Sequence, residues 1–145
     1  MADELRLRAE GPEDLDAFSA ALQDAVLKIG DVSYDPKTRR FTALINRFRW
    51  EKAGKKGPYE RIRAGLSFES VSSVKSTHVQ RTDKEAVASI LSLAFDADKE
   101  PPSGALRVVL AGGGEIRLAV ECIDAVLVDT GPVWPTPRKP FHGKL

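Results

Sequence analysis

The stretch from Lys37 to Arg63 carries the side chains of this sequence that are best suited to binding an anion. It holds ten of the 22 Lys and Arg residues of the chain and only two acids. The aromatic residues Trp50 and Tyr59 lie among the cations near its C-terminal end. Cationic side chains pair with phosphates or carboxylates, and aromatic rings stack on nucleic-acid bases. The composition therefore predicts a surface for an anionic partner.

A β-hairpin would bring these side chains together, because they occupy the end of one predicted strand, the following loop and the start of the next strand. The predicted surface comprises Arg47, Arg49, Trp50, Lys52, Lys55, Lys56, Tyr59, Arg61 and Arg63. Nucleic acid and an acidic protein are both open as its partner. The alternative is a solvated hairpin that faces the chain's own N-terminal segment, since seven acids lie within the first 24 residues.

The other reactive residue types lack the spacing that catalysis or metal binding requires. Gly112 to Gly114 precede a predicted strand rather than a helix, which is typical of a hairpin loop and not of a phosphate loop. Cys122 has the strand parity of apolar residues, so it is predicted to be buried. His78 and His142 are the only histidines, and no carboxylate spacing completes a metal site with either. The sequence thus predicts no metal and no cofactor, and it favours a non-enzymatic protein. An enzyme whose site is assembled from scattered residues stays open.

Length and composition indicate one soluble domain. The chain has 145 residues, a formal net charge of +1 and an apolar share of 42%, which together suit a single globular core. No run of about 18 apolar residues could cross a membrane, and the first residues are acidic rather than basic and apolar as in a signal peptide. A single cysteine agrees with a reducing compartment. We therefore expect a cytoplasmic protein without membrane contact, whose oligomeric state is unknown.

One helix is predicted near the start of the chain. Pro12 suits the first helical turn, and the acids after it suit the positive end of a helix dipole. Apolar residues then recur at spacings of three and four, which places them on one helix face that Gly30 can close. These residues are Leu15, Phe18, Leu22, Ala25, Val26 and Ile29.

The remainder of the chain reads as strands and turns. Residues 35–38 form a predicted turn before a strand over 40–50, and a second strand alternates Ile62, Ala64, Leu66 and Phe68 with polar residues. A further strand is predicted over 89–96, although residues 83–90 could also be helical. A last hairpin flanks the three glycines. The predicted fold class is α+β, with one N-terminal amphipathic helix packed on a curved, mostly antiparallel sheet or roll of six to eight strands.

The C-terminal segment is predicted to be an arm rather than part of the sheet. Residues 1–131 form the predicted domain, and four prolines lie in the last 15 residues of the chain, which argues against a central strand or a helix there. Trp134 is predicted to dock on the domain, because a large aromatic side chain gains most from burial. The alternative is that the Pro-x-x-Pro spacings of this arm bind an aromatic groove of a partner.

Several blocks of the sequence resemble one protein family. These blocks are Leu22 to Val26 with Gly30 and Asp31, Asn46 to Glu51, Ala111 to Leu118, Val120 to Ile123, and Gly131 to Trp134. Together they resemble the bacterial domain of unknown function 2948 over about residues 5–137. The resemblance implies a small stand-alone bacterial protein, and it supplies no catalytic residues.

The sequence therefore favours a non-enzymatic binding module whose basic hairpin contacts RNA or an acidic protein. Two alternatives are kept: an enzyme or small-ligand-binding protein with a site between helix and sheet, and a structural subunit that oligomerises through an edge strand.

Overall fold

The computed structural model describes residues 5–53, 57–137 and 140, which form one antiparallel sheet and one short helix. The elements are β1 Arg6–Ala9, α1 Leu15–Leu22, β2 Val26–Asp35, β3 Arg40–Phe48, β4 Tyr59–Phe68, β5 Val71–Thr77, β6 Val87–Ala97, β7 Gly104–Leu110, β8 Glu115–Val120 and β9 Ala125–Thr136. Their order in the sheet is β1-β9-β4-β3-β2-β6-β7-β8-β5. The mostly antiparallel sheet with an N-terminal helix is confirmed. The predicted strand count of six to eight is wrong, because the described residues form nine strands.

The sheet folds over so that its two halves meet again at a corner. β4 continues into β5 through Glu69 and Ser70, and β8 continues into β9, while β4 pairs with β9 and β5 pairs with β8. At the corner the Glu69 N–H donates to the Asp124 carbonyl at 2.8 Å, and the Glu121 N–H donates to the Ser70 carbonyl at 3.1 Å. Both halves therefore contribute to one enclosed core.

The core is built from the inward-facing residues of both halves. Phe68 is fully buried in it, and its ring centroid lies 6.1 Å from that of Phe41 of β3 and 6.4 Å from that of Phe18 of α1. Strand alternation supplies the rest, since every second residue of β3, β4, β7 and β8 is buried. Helix α1 packs mainly on β6 and covers one side of this core.

The helix is shorter than the sequence predicted, because the chain turns into a strand at Asp24. Asp24 has a positive φ of 66°, and its N–H donates to the Ile90 carbonyl of β6 at 2.7 Å. Val26 and Ile29, which share the helical spacing, belong to β2, where β-branched side chains are favoured. The predicted helix over residues 23–29 is therefore wrong.

Cys122 also differs from its prediction. Strand β8 ends at Val120, so the parity that placed Cys122 with the core does not extend to it. Its side chain is half-buried at the corner between β8 and β9. The hairpin around Gly112 and Gly113 is present as predicted, with both glycines at positive φ.

The proline-rich segment is a strand as far as Thr136. Strand β9 pairs with β1 only over residues 125–128, whereas its pairing with β4 continues to Thr136 after an irregularity near Arg63. Within the described residues, the last part of β9 thus has a strand on one side only. Proline is tolerated in such edge positions, which reconciles Pro132 and Pro135 with the sheet. The predicted boundary at 131/132 falls inside this strand.

Candidate functional site

Arg47, the first residue of the predicted basic surface, is enclosed in the protein. Its side chain is fully buried and donates two hydrogen bonds of 2.7 Å to Asp129 of β9. It donates two more to Glu51, at 2.7 and 3.0 Å. Burial alone would lower the pKa of Arg47, but the hydrogen bonds from these two carboxylates outweigh it and raise the pKa above its ordinary value. Arg47 is therefore a buried ion-pair residue.

Arg49 also forms an ion pair inside the protein. Its side chain is buried, and one of its guanidinium nitrogens, Nη1, donates to Glu60 at 2.7 Å. Asp129 also accepts a hydrogen bond of 2.8 Å from the Leu5 N–H, so the ionic network ties β3, β9 and the start of the chain together. These contacts correct the expectation that Arg47 and Arg49 face a partner, because their charges are satisfied internally.

Trp50, Tyr59 and Arg61 form an aromatic cluster around Phe48. The Phe48 ring lies 4.6 Å from Trp50 and 6.1 Å from Tyr59, centroid to centroid, and the Arg61 guanidinium lies 5.8 Å from its centre. Trp50 Nε1 donates to the Gln23 carbonyl at 2.9 Å, and Arg61 Nη1 donates to the Asp24 carbonyl at 3.0 Å. Burial lowers the pKa of Arg61. The cluster attaches the α1–β2 connection to the sheet.

Two residues of the predicted surface remain exposed within the described part of the chain, namely Lys52 and Arg63. Lys55 and Lys56 lie outside the described residues. Trp134 lies in β9 opposite Arg61, with a half-buried side chain. The structure thus separates the seven described residues of the predicted surface into an internal set and a smaller exposed set.

Arg63 borders a depression on the outer face of the sheet, which we call the outer trough. It consists of two adjoining depressions of about 430 and 170 Å³ that share Leu44 and Asp31. The trough crosses β9, β4, β3, β2 and the start of β6. The apolar lining residues that are exposed or half-buried are Val26, Leu44, Gly65, Val87, Val126 and Val128, and the buried Leu27, Ala43 and Leu66 complete the apolar lining.

Gly65 lines the larger of the two depressions. It lies between Leu44 of β3 and Val128 of β9 in the register of the sheet. Among the described residues, none has an atom within 4 Å of a Cβ atom built on Gly65, so a side chain there would meet open space. Glycine weakens a strand interior and often marks a place where another group approaches closely. The missing side chain therefore leaves an aliphatic hollow in the middle of four paired strands.

Positive charge flanks this hollow on two sides. Arg63 lines its second depression, and Arg6 of β1 pairs with Val128 beside the first. Within the described residues neither arginine forms an ion pair, whereas the neighbouring Arg8 contacts Asp124 and Glu10. Asp31 supplies the one carboxylate of the lining. The arrangement can hold an apolar group over Gly65 and carboxylates at the two arginines.

The sequence predicts Arg63 as a surface residue, but it does not predict the trough. The apolar outer residues Leu44, Val126 and Val128 come from strands that are far apart in sequence. A glycine at an outer-facing position of an alternating strand was the local signal, since Gly65 replaces a side chain between Arg63 and Ser67. Four depressions on the described residues are lined by strands and their connections, and no residue of α1 lines any of these four.

No helix in the described part of the chain has the length and apolarity that a membrane crossing requires. The same residues contain no group of three or more His, Cys, Asp or Glu side chains that could hold a metal ion.

Comparison with known proteins gives one result. Residues 5–142 match the family model described as "Protein of unknown function (DUF2948)". Neither the curated proteins nor the solved structures yield a match to this chain.

Proposed function

Because this chain belongs to the DUF2948 family of proteins of unknown function, we propose its function from its own geometry. We propose that it is a non-enzymatic module that binds an acidic, partly apolar segment of a partner protein in the outer trough. The observation that carries this proposal is the aliphatic hollow over Gly65 with an exposed arginine on either side.

Exposed apolar side chains in the trough favour a partner segment that carries apolar as well as acidic side chains. Leu44 and Val87 of the trough are 42% and 60% exposed. Covering them removes apolar area from water, which stabilises a complex by roughly 25 cal/mol for each Å² buried. Arg6 and Arg63 add charge complementarity, which contributes to association rate and orientation more than to affinity.

The lining favours a protein partner over RNA. Recognition of single-stranded RNA relies on aromatic or planar side chains on which bases stack. The residues that line the described trough include no aromatic side chain. The sequence predicted base stacking on Trp50 and Tyr59, but both rings pack around Phe48.

The first test is a selection for peptides that need the hollow. A random short-peptide library is displayed against the full chain and counter-selected against the Gly65→Val variant, whose branched side chain would occupy the hollow over Gly65. We expect the selected peptides to combine Asp or Glu with Leu, Ile, Val or Phe. Selected peptides that lack acids, or that bind Gly65→Val as well as the native chain, overturn the proposal.

The second test measures the selected peptides on matched variants. Arg63→Glu and Arg6→Glu should each weaken binding several-fold, and added salt should weaken it further, because both act on the charge contacts. Ser73→Val, a similar change at an exposed position of β5, should leave binding unchanged. Equal losses in Ser73→Val and Gly65→Val contradict a site at the trough.

The third test distinguishes an acidic protein segment from RNA as the partner. A random RNA pool retained by the native chain but released by Arg63→Glu would replace the acidic protein with nucleic acid as the partner.

The double change Lys55→Glu and Lys56→Glu examines the contribution of these two predicted surface residues. We expect it to reduce peptide binding less than Arg63→Glu does.

The proposal assigns this module to the cytoplasm. Its single cysteine excludes an internal disulfide framework, which agrees with a reducing compartment.

A further inference from the structure

A second pocket lies away from the outer trough, on the inner side of the folded sheet. It has a volume of about 210 Å³ and opens between β2, β3, β5 and β8. Its apolar walls are Ile29, Val32, Phe41, Val74, Val79 and Ile116. Two of its described lining residues are polar, namely Ser76 and Arg81.

Residues 78–86 connect β5 to β6, and two of them, Val79 and Arg81, line this pocket; we call this connection the roof. Two glycines let the ends of the roof approach the sheet: a Cβ on Gly114 would lie 3.1 Å from the His78 carbonyl oxygen, and one on Gly30 would lie 2.9 Å from that of Lys84. The Gly30 N–H donates to the same Lys84 carbonyl at 2.9 Å. Both ends of the roof therefore lie close against the sheet.

The middle of the roof supplies one apolar and one cationic side chain. Val79 packs against the core, and the Arg81 N–H donates to the Val79 carbonyl at 2.9 Å in a tight turn. The Arg81 side chain is exposed at the mouth, and in the described part of the chain it forms no ion pair. An apolar interior thus ends at a cation that faces water.

We propose that this pocket binds a small carboxylate with an aromatic or branched aliphatic body. The apolar walls exclude a strongly polar ligand, because its polar groups would lose water without gaining partners. Arg81 matches a carboxylate through a charge-assisted hydrogen bond. A cavity of about 150 Å³ is enough to hold benzene, so a pocket slightly larger suits one ring with a carboxyl group.

The test compares benzoate with benzyl alcohol, which has the same ring but no charge. Both are titrated into the ¹⁵N-labelled full chain, and amide shifts give the affinity and the location. We expect benzoate to bind several-fold more tightly than benzyl alcohol, with shifts centred on Ser76, Val79 and Arg81. Equal affinities, or shifts centred elsewhere, overturn the proposal.

Variants assign the preference to Arg81. Arg81→Gln should reduce benzoate affinity to that of benzyl alcohol, and Arg81→Lys should keep part of the preference. Arg117→Gln removes an exposed arginine of β8 that does not line the pocket, and it should leave benzoate binding unchanged. An equal loss in Arg117→Gln and Arg81→Gln contradicts the assignment.

A filled pocket provides the last control. Val74→Phe should abolish binding of both compounds, since the larger side chain occupies the space. Native-like amide spectra establish that the variant folds, and if it does not fold, the comparison of Arg81→Gln with Arg117→Gln decides. Persistent binding to folded Val74→Phe overturns the proposal.

Discussion

Arg47 and Asp129 keep opposite charges away from water, at a cost that their contacts must offset. Both side chains are fully buried, and the two hydrogen bonds between them are 2.7 Å long. A buried pair of this kind contributes little net stability compared with an apolar pair of the same shape. Removing one partner is different, because the other charge then remains buried and unpaired. Arg47 is therefore expected to be sensitive to substitution in a way that exposed arginines are not.

We predict that Arg47→Met lowers the free energy of unfolding by about 3–5 kcal/mol, since it leaves Asp129 without its ionic partner. Urea denaturation of the purified variant measures the loss. The second change, Asp129→Leu in the Arg47→Met background, should recover part of it.

Arg63→Met is the matched control, because Arg63 is exposed on the neighbouring strand. Its effect should stay within about 0.5 kcal/mol. Equal destabilisation by Arg47→Met and Arg63→Met would mean that the buried pair has no special role.

Glu51 gives the ionic network a dependence on pH. Burial alone would raise the pKa of its carboxyl group, but hydrogen bonds from Arg47 reverse this and lower the pKa below its ordinary value of 4.5. A lowered folded-state pKa means that the ionised Glu51 stabilises the protein above pH 4.5, and that this stability is lost as the pH falls through the folded-state pKa.

We predict that the native chain is more stable than Glu51→Gln at neutral pH and that this difference shrinks in acid. Urea denaturation of both proteins between neutral pH and pH below 4.5 measures it. The prediction fails if the stability difference is the same at every pH.

At the scale of elements, β4 carries a glycine where its outer neighbours carry side chains. Glycine in a strand costs stability because it loses more backbone freedom on folding than other residues. No atom of the described residues lies within 4 Å of a Cβ atom built on Gly65. The strand thus keeps a residue that is unfavourable for its own stability.

We predict that Gly65→Val raises the free energy of unfolding by about 0.5–1 kcal/mol, because valine favours strands and meets no atom there. Chemical denaturation measures the gain. A loss of stability would indicate that the backbone of β4 needs glycine at position 65. Gly65 would then no longer support a binding site in the trough.

The elements that could be predicted from the sequence are those whose signal is local. The turn at residues 35–38, the alternation of Ile62 to Phe68 and the glycine hairpin all depend on neighbouring residues. The end of α1 could not be predicted, because Val26 and Ile29 fit a helical face equally well. Their strand pairing with β3 and β6 depends on residues far along the chain.

The candidate site was harder to predict for the same reason. Charge density identified Arg47, Arg49 and Arg63 together, but the sequence could not distinguish the buried arginines from the exposed one. Arg47 is paired with Asp129, 82 residues away. Only the closure of the sheet determines which charges are satisfied internally.

At the scale of the whole molecule, the corner between Glu69 and Asp124 joins the two halves into one core. We predict that the halves unfold together, since residues of both halves share the core around Phe68. The two tryptophans lie in the half that contains β3, β4 and β9, and Cys122 lies at the corner.

Tryptophan fluorescence and the rate of Cys122 thiol labelling should therefore give the same urea midpoint. Labelling of Cys122 at clearly lower urea than the fluorescence transition would mean that the corner opens first and that the halves unfold separately.

The hydrogen bond from the Leu5 N–H to Asp129 spans 124 residues. A ribosome that adds about 5–20 residues per second needs on the order of ten seconds to synthesise that interval. During this time β1 has no strand to pair with, one edge of β4 is unpaired, and Arg47 lacks its ionic partner Asp129. Ribosomes that pause before residue 125 would thus carry nascent chains with an unpaired, aggregation-prone strand edge, and the fold is completed only after β9 emerges.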